Sequence, residues 1–435
     1  MSRMMFMACC YNDPEMLIDP DTVYPVRPEC RDDTPKSRFK PRPGLTLSPK
    51  RWKLLHNEEG CLDIAGMLKR IQRGGIHPTI KGEVWEFLLG CYDPKSTTEQ
   101  RNQLRQQRRL EYEKLKTRCR EMDTTVGSGR VLTMPVITED GQPIEDPNSN
   151  GGARPSSVGS EKEANGVPLS KEVIQWKLTL HQIGLDVNRT DRALVYYESQ
   201  ENLARLWDIL AVYSWVDKDI GYCQGMSDLC SPISILLEHE ADAFWCFERL
   251  MRRVRENFKS TSTSIGVRSQ LTTLASIMET VDPKLHEHLE NLDGGEYLFA
   301  FRMLMVLFRR EFSFVDTMYL WELMWSMEYN PSLFSMLESD AGTSSGKTKD
   351  ENVLKQCGKF ERKNLQVTSK DEIPLSVFIV ASVLEAKNKR LLSEAKGLDD
   401  VVKILNDITG SLDAKKACRG ALQIHEKYLN TVKAS

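Results

Sequence analysis

An all-α fold is predicted by three observations. Apolar residues recur at helical spacing in one segment after another, no stretch sustains a period-two alternation, and no internal repeat is present. The chain has 435 residues, 40% of them hydrophobic, enough to bury a substantial core. The expected organisation is a disordered leader over 1–45, then one large helical domain over 46–435. Two flexible insertions interrupt that domain, at about 124–168 and 339–370.

The leader is rich in Pro, Asp and Arg and shows no apolar period, so order is expected to begin near Arg51-Trp52. Asp63 to Gln72 then places Ile64, Met67, Leu68 and Ile71 on one helical face. Arg73-Gly-Gly75-Ile76-His-Pro78 reads as a turn. The helix after it turns Val84, Trp85, Leu88 and Leu89 inward and ends near Gly90, a plausible C-cap. A highly charged helix is expected from about Thr97 to Met122. Gly, Pro, Ser and Asn then dominate the first insertion, which is too polar to bury a core. Beyond 170 the period returns in Leu203, Leu206, Trp207 and Leu210, in Phe244, Phe247 and Met251, and in Phe299, Met303 and Val306. After the second insertion it returns again in Val401, Ile404, Leu405 and Ile408.

Composition excludes some functions. With 59 basic and 62 acidic residues the net charge is −3, without the basic excess of a nucleic-acid binder. No apolar run approaches the roughly 18 residues of a membrane helix. The stretch from Tyr297 to Phe308 is short, contains Arg302 and reads as a buried core helix. Eleven cysteines, with no CxxC pair and no signal peptide, read as reduced cytosolic thiols. Ser2 stands where myristoylation needs glycine, and Cys9-Cys10 alone is weak evidence of acylation.

Two short segments carry the chemistry. In Ile183-Gly-Leu-Asp186-Val-Asn-Arg189-Thr190, a spacing of three brings Ile183, Asp186 and Arg189 together on a helical turn. Ile183 would anchor the segment, and Asp186 would hold the local backbone or orient Arg189. Thr190 and Asp191 suit the N-cap of a following helix, which would put Arg189 at a helix entrance. Alone, the pair reads first as an ordinary surface ion pair of little energetic worth. In Tyr222-Cys-Gln224-Gly225-Met226, Gly221 and Gly225 permit tight turns or close approach by a partner. Gln224 can donate and accept at once, as a water-orienting group must, or it can satisfy backbone groups in a helix N-terminal turn.

Together the segments resemble the TBC domain, the catalytic domain of activators of Rab GTPases. That family carries I-x-x-D-x-x-R and Y-x-Q motifs in this order, matched here by Ile183, Asp186, Arg189 and by Tyr222, Gln224. Arg73-Gly-Gly75-Ile76 with Val84-Trp85 and Leu88-Leu89-Gly90 resembles the family's opening segment. Phe301-Arg302, Leu307-Phe308, Arg310-Glu311-Phe312 and Leu320-Trp321-Glu322 with Trp325 resemble later ones. The likeness covers about 70 to 430, and the long insertion resembles the yeast vacuolar and plant branch more than the family's compact members. Lys81 replaces a usual arginine, which would weaken a bidentate contact, and Met303 replaces a usual tryptophan.

The resemblance implies an activator that is not itself an enzyme in the strict sense. It would supply Arg189 and Gln224 in trans to a GTP-loaded Rab, with Ile183, Asp186, Tyr222 and Gly225 in support. GTP and Mg²⁺ would belong to the partner, and the chain would have no cofactor or metal of its own. Localisation would be cytoplasmic, with peripheral membrane association through the GTPase, in vesicle trafficking. The alternative is a Rab-binding or scaffolding module without activity.

Three further patterns carry less. Ala341-Gly-Thr-Ser-Ser-Gly346-Lys347-Thr348 fits a relaxed phosphate loop but lacks the strand and helix such a loop needs. His286 and His288, two apart, point to different sides of a helix. Arg101, Arg105, Arg108 and Arg109, with Lys114 and Lys116, form a basic face read as solvated helix or as a surface for lipid or an acidic GTPase.

Overall fold

The computed structural model describes residues 18–142, 144, 169–259, 266–338, 351–365, 373–407 and 410–434. Among them the elements are helical, with only two isolated bridges, Leu47 to Ile76 and His56 to Leu62. No helix of the described residues is long and apolar enough to cross a membrane. The chain divides into two compact units, 1–105 with 245–435, and 106–244, the division falling inside the helices Thr98–Met122 and Glu240–Val254.

In the first unit, the helix Phe314–Glu328 is buried from Phe314 through Met327. A helix apolar on all sides needs neighbours on all sides. Ile64–Gly74, Lys359–Leu365 and the last helix, Ala414–Ala434, pack on it, and Leu375–Glu394 packs along Ala414–Ala434. Trp321 and Trp325 meet Trp85 of the helix Lys81–Leu88, with ring centroids 6.0 and 4.8 Å apart. Under these rings the Lys81 ammonium pairs with the Glu322 carboxylate, both side chains wholly buried. The Trp85 indole donates to the same Glu322 oxygen at 3.1 Å, and among the described residues the other oxygen has no side-chain donor.

Three expectations need correction here. Residues 18–45 are not a loose leader: Asp316 accepts the backbone N–H groups of Arg38 and Phe39 at 2.9 and 2.8 Å, and Phe39 is buried against Tyr319. Single anchors and backbone bonds hold this stretch, and neither leaves a period in sequence; residues 1–17 lie outside the described ones. The second insertion is helical over Glu351–Gln356 and Lys359–Leu365, with Phe360 buried, while the phosphate-loop lookalike at 341–348 lies outside the described residues. The expected core helix 297–308 is a 3-10 turn, Leu298–Ala300, then Phe301–Met305. Positive φ at Tyr297, Leu307 and Phe308 breaks it at both ends.

The last helix also buries an imidazole. His425 is 2% exposed between the rings of Phe360 and Phe378. Burial, reinforced by the positive charge of Lys363, pushes it down to about 4. Unfolded, it protonates at about 6.5, so its contribution is whole above that pH and is lost as pH falls toward 4, by up to about 2–3 kcal/mol. Between pH 7 and 5, wild type should therefore lose more unfolding free energy than His425→Phe. Equal losses in denaturant titrations would remove His425 as the cause.

In the second unit, Gln200–Val216 is buried along most of its length and packs on Lys171–Arg189 and Met226–Leu236. Two indoles fix the first contact: Trp207 donates to the Leu180 carbonyl at 3.0 Å and Trp176 to the Ala211 carbonyl at 2.9 Å. The start of the first insertion belongs to this core, contrary to the expectation of a loop over all of 124–168. Val126 and Ile137 are buried, and Gly127 donates its N–H to Asp208 at 2.9 Å. The Leu132 carbonyl lies so close to Gly184 that a Cβ there would stand 1.8 Å from it.

Much of the expected basic face is taken up inside the fold, while Lys114 stays exposed. Arg109 grips Asp242, Lys116 bridges Asp208 and Glu240 at 2.9 and 2.6 Å, Arg105 pairs with Glu86, and Arg108 is buried. Lys116 is held charged by Glu240 and Asp208, against the pull of its own burial.

Candidate functional site

The helix Lys171–Arg189 starts at Ser170, whose hydroxyl accepts the Val173 N–H, and ends on Arg189. Ile183 is fully buried and roots its last turns in the core. Asp186, one turn before the end, is 6% exposed and uses both oxygens. Oδ1 accepts from the Arg189 guanidinium at 2.5 Å, and Oδ2 accepts from the Tyr222 hydroxyl at 2.6 Å. One carboxylate thus ties together the two segments singled out in the sequence. The Arg189 side chain remains 58% exposed, so its base is fixed while much of the guanidinium faces solvent. Burial and the Asp186 carboxylate push the Tyr222 phenol far above its ordinary range, so it stays a donor.

Arg189 lies at a helix exit, not the expected entrance. Thr190 closes its own helix: its N–H and its hydroxyl both bond the Asp186 carbonyl, at 2.9 and 2.8 Å. A cation at this end complements the helix dipole. The Thr190 hydroxyl is also 2.8 Å from that of Ser227, in the first turn of Met226–Leu236. A second link follows, in which Asp191, at φ 48°, accepts from Ser231 at 2.6 Å and Ser231 contacts the Tyr197 hydroxyl at 2.9 Å. These hydroxyl links were missed in the sequence. Small polar residues have no spacing signature, and in sequence Thr190 and Asp191 suggest capping alone.

Gln224 stands on a tight turn. Met226 donates its N–H to the Cys223 carbonyl at 3.2 Å, leaving Gln224 and Gly225 as the two central residues. Gly225, at φ 101° and ψ −16°, has the third-position geometry of a type II turn, which glycine adopts without strain. Gly225 is buried, Gln224 is exposed, and its amide makes no hydrogen bond among the described residues. Gly225→Ala should cost about 1–2 kcal/mol of stability through the left-handed backbone alone. Thermal unfolding would measure that, and no loss would mean that the turn relaxes to another form.

The remaining candidates are not drawn into this site. His286 contacts the Tyr297 hydroxyl and His288 the Leu391 carbonyl, and among the described residues no group of three or more His, Cys, Asp or Glu is placed for a metal. A cleft of about 880 Å³ in the first unit, lined by Trp52, His56, Phe87, Tyr92 and Arg101 among others, holds none of the sequence-predicted site residues.

Comparison with known proteins decides the family. The model of the Rab-GTPase-TBC domain matches residues 157–337, which contain both segments. The chain is a member of the TBC-domain family. Relatives of this TBC protein include Rab GTPase-activating protein 22 of Arabidopsis thaliana, 28% identical over 91% of this chain and 84% of that one. TBC1 domain family member 17 of Homo sapiens is 32% identical over 69% and 42%, and GTPase-activating protein GYP7 of Candida glabrata is 27% identical over 85% and 48%. The TBC chain thus spans most of the plant relative but under half of the other two. The crystal structure of the Ypt/Rab-GAP domain of Gyp1p shares its fold, with a TM-score of 0.56 over 87% of this chain and 97% of that one at 18% identity.

Proposed function

We propose that this chain accelerates GTP hydrolysis by a Rab-type GTPase, supplying Arg189 and Gln224 to a nucleotide that the partner holds. Membership of the TBC family and relatives named as GTPase-activating proteins support the activity. The observation that carries the residue assignment is the Asp186 carboxylate, which joins the Arg189 segment to the Tyr222 segment while leaving Arg189 and Gln224 open to solvent.

Phosphoryl transfer to water needs positive charge on the γ-phosphate and a placed water more than covalent chemistry. Arg189 would neutralise charge developing on the γ-phosphoryl oxygens through a planar fork that does not lose its proton. Gln224 would hold the attacking water by donating and accepting together. Tyr222 and Asp186 would position the two groups, and Ile183 and Gly225 would fix the backbone beneath them. GTP and Mg²⁺ would come with the partner, in its GTP form. The protein would meet membranes peripherally, on the cytoplasmic side, where its partner is active in trafficking.

Single-turnover hydrolysis with a panel of GTP-loaded Rabs tests this. Wild-type chain should accelerate at least one of them. Gln224→Ala should reduce that acceleration by about 10²-fold, the scale of losing one preorganised hydrogen-bonding group from a transition state. Tight binding of GTP-loaded Rabs with no acceleration of any would instead make the chain a recognition module.

A further inference from the structure

The chain as a whole is slightly acidic, yet one face of the first unit gathers cations. Arg38, Arg42, Arg73 and Lys415 line one cleft around the start of the helix Ala414–Ala434. One turn further along that helix, Arg419 lines a second cleft, of about 450 Å³, with Lys359, Arg362 and Lys363. Lys415 and Arg419 are four apart on one helix and so share a face. Lys415 donates to the Arg73 backbone carbonyl at 2.6 Å, which brings Arg73 to the same edge. Its ammonium is pushed down by burial and then by the charges of Arg42, Arg419 and Arg73, with Asp413 opposing them.

The carboxylates nearby are engaged. Asp316 accepts two backbone N–H groups, Asp413 accepts the Lys416 N–H at 2.8 Å, and Glu426 pairs with Lys363 at 3.1 Å. Arg38, Arg42, Arg73 and Arg419 are exposed and have no ion pair among the described residues. Unpaired guanidinium forks suit phosphate oxygens. Among the described residues no large exposed apolar side chain lies in either cleft, which disfavours an inserted amphipathic segment or an apolar peptide, and the rings of Phe39 and Tyr319 there are buried, offering bases no stacking platform.

We propose that this basic face is a docking surface for an anionic phospholipid bilayer, with headgroup phosphates entering the two clefts. It adds to the Rab reading a membrane contact made by the chain itself and does not depend on that reading.

Vesicle co-sedimentation of the full chain tests it, comparing phosphatidylcholine vesicles containing phosphatidylserine with vesicles of phosphatidylcholine alone. Binding is expected only to the anionic vesicles and should fall steeply with salt. Each cation near such a surface is worth about fivefold in partitioning, so a variant carrying Arg38→Ala, Arg42→Ala, Arg73→Ala and Arg419→Ala should lose at least about 100-fold. If that variant does not fold, Arg73→Ala and Arg419→Ala separately should each lose about fivefold. Equal binding to neutral vesicles or unchanged binding of the variants would overturn the proposal. So would binding of soluble glycerophosphoserine as tight as that of the vesicles, which would mean a free phosphate ligand. Stimulation of a soluble GTP-loaded Rab by the quadruple variant should match wild type, so failure at the lipid face is separable from failure of the activator reading.

Discussion

Arg189→Ala is expected to remove about 10³–10⁵ of the acceleration in single-turnover hydrolysis with a GTP-loaded Rab, about 4–7 kcal/mol of barrier. On the proposed role, the loss should lie in the hydrolytic rate more than in Rab affinity, because the guanidinium would act where charge develops. Arg189→Lys should recover little, since an ammonium is a point charge and cannot span two oxygens. Stability should hardly change: the side chain is 58% exposed, and a pair of that kind contributes about 0–1 kcal/mol. Asp186 would still accept from Tyr222 at 2.6 Å. An unaltered rate in Arg189→Ala, with a Rab that wild type stimulates, would end the assignment. A melting temperature many degrees lower would show that the residue is structural.

Lys81→Met should destabilise the fold by about 3–5 kcal/mol, because it strands the buried Glu322 carboxylate without its cation. Burial already pushes Lys81 down and Glu322 up, each toward its neutral form, and each is opposed by the charge of the other. Removing one partner leaves only the penalty. Pairing Lys81→Met with Glu322→Gln should recover most of the loss, since a neutral acceptor remains for the Trp85 indole. A double-mutant cycle in denaturant would then show a coupling well above the half kcal/mol or so of independent sites. Lys81→Arg should fold at least as well, because a second N–H can reach the Glu322 oxygen that has no side-chain donor. A near-zero cost for Lys81→Met would mean that the pair is neutral in the native state.

How much of this was legible in sequence depended on range. The amphipathic helices around Ile64, Met67, Leu68 and Ile71 and around Val401, Ile404 and Leu405 appear where their periods place them. What failed was set by partners distant in the chain. The arginines and lysines of Thr98–Met122 read as a solvated face because Asp208, Glu240 and Asp242, which take up Lys116 and Arg109, lie about a hundred residues away. Non-glycine residues at positive φ, such as Leu307 and Phe308, give no warning, since tertiary packing imposes them on an apolar run. At the candidate site, the motifs supplied Asp186, Arg189, Tyr222 and Gln224. The helix end is not legible there, because a threonine can cap either end of a helix and Thr190 closes Lys171–Arg189.

The shared Asp186 carboxylate has an entropic consequence. A long side chain such as arginine gives up about 1.5–2 kcal/mol of rotamer freedom when it is immobilised. Here part of that ordering is already complete in the free protein, on the Arg189 side through Asp186 and on the Gln224 side through a glycine turn. A partner would meet an arginine already tethered and a glutamine on a fixed backbone, so less of its binding free energy would be diverted into arranging them. Sharing one carboxylate ties the two segments together: a drift at Asp186 would loosen both at once.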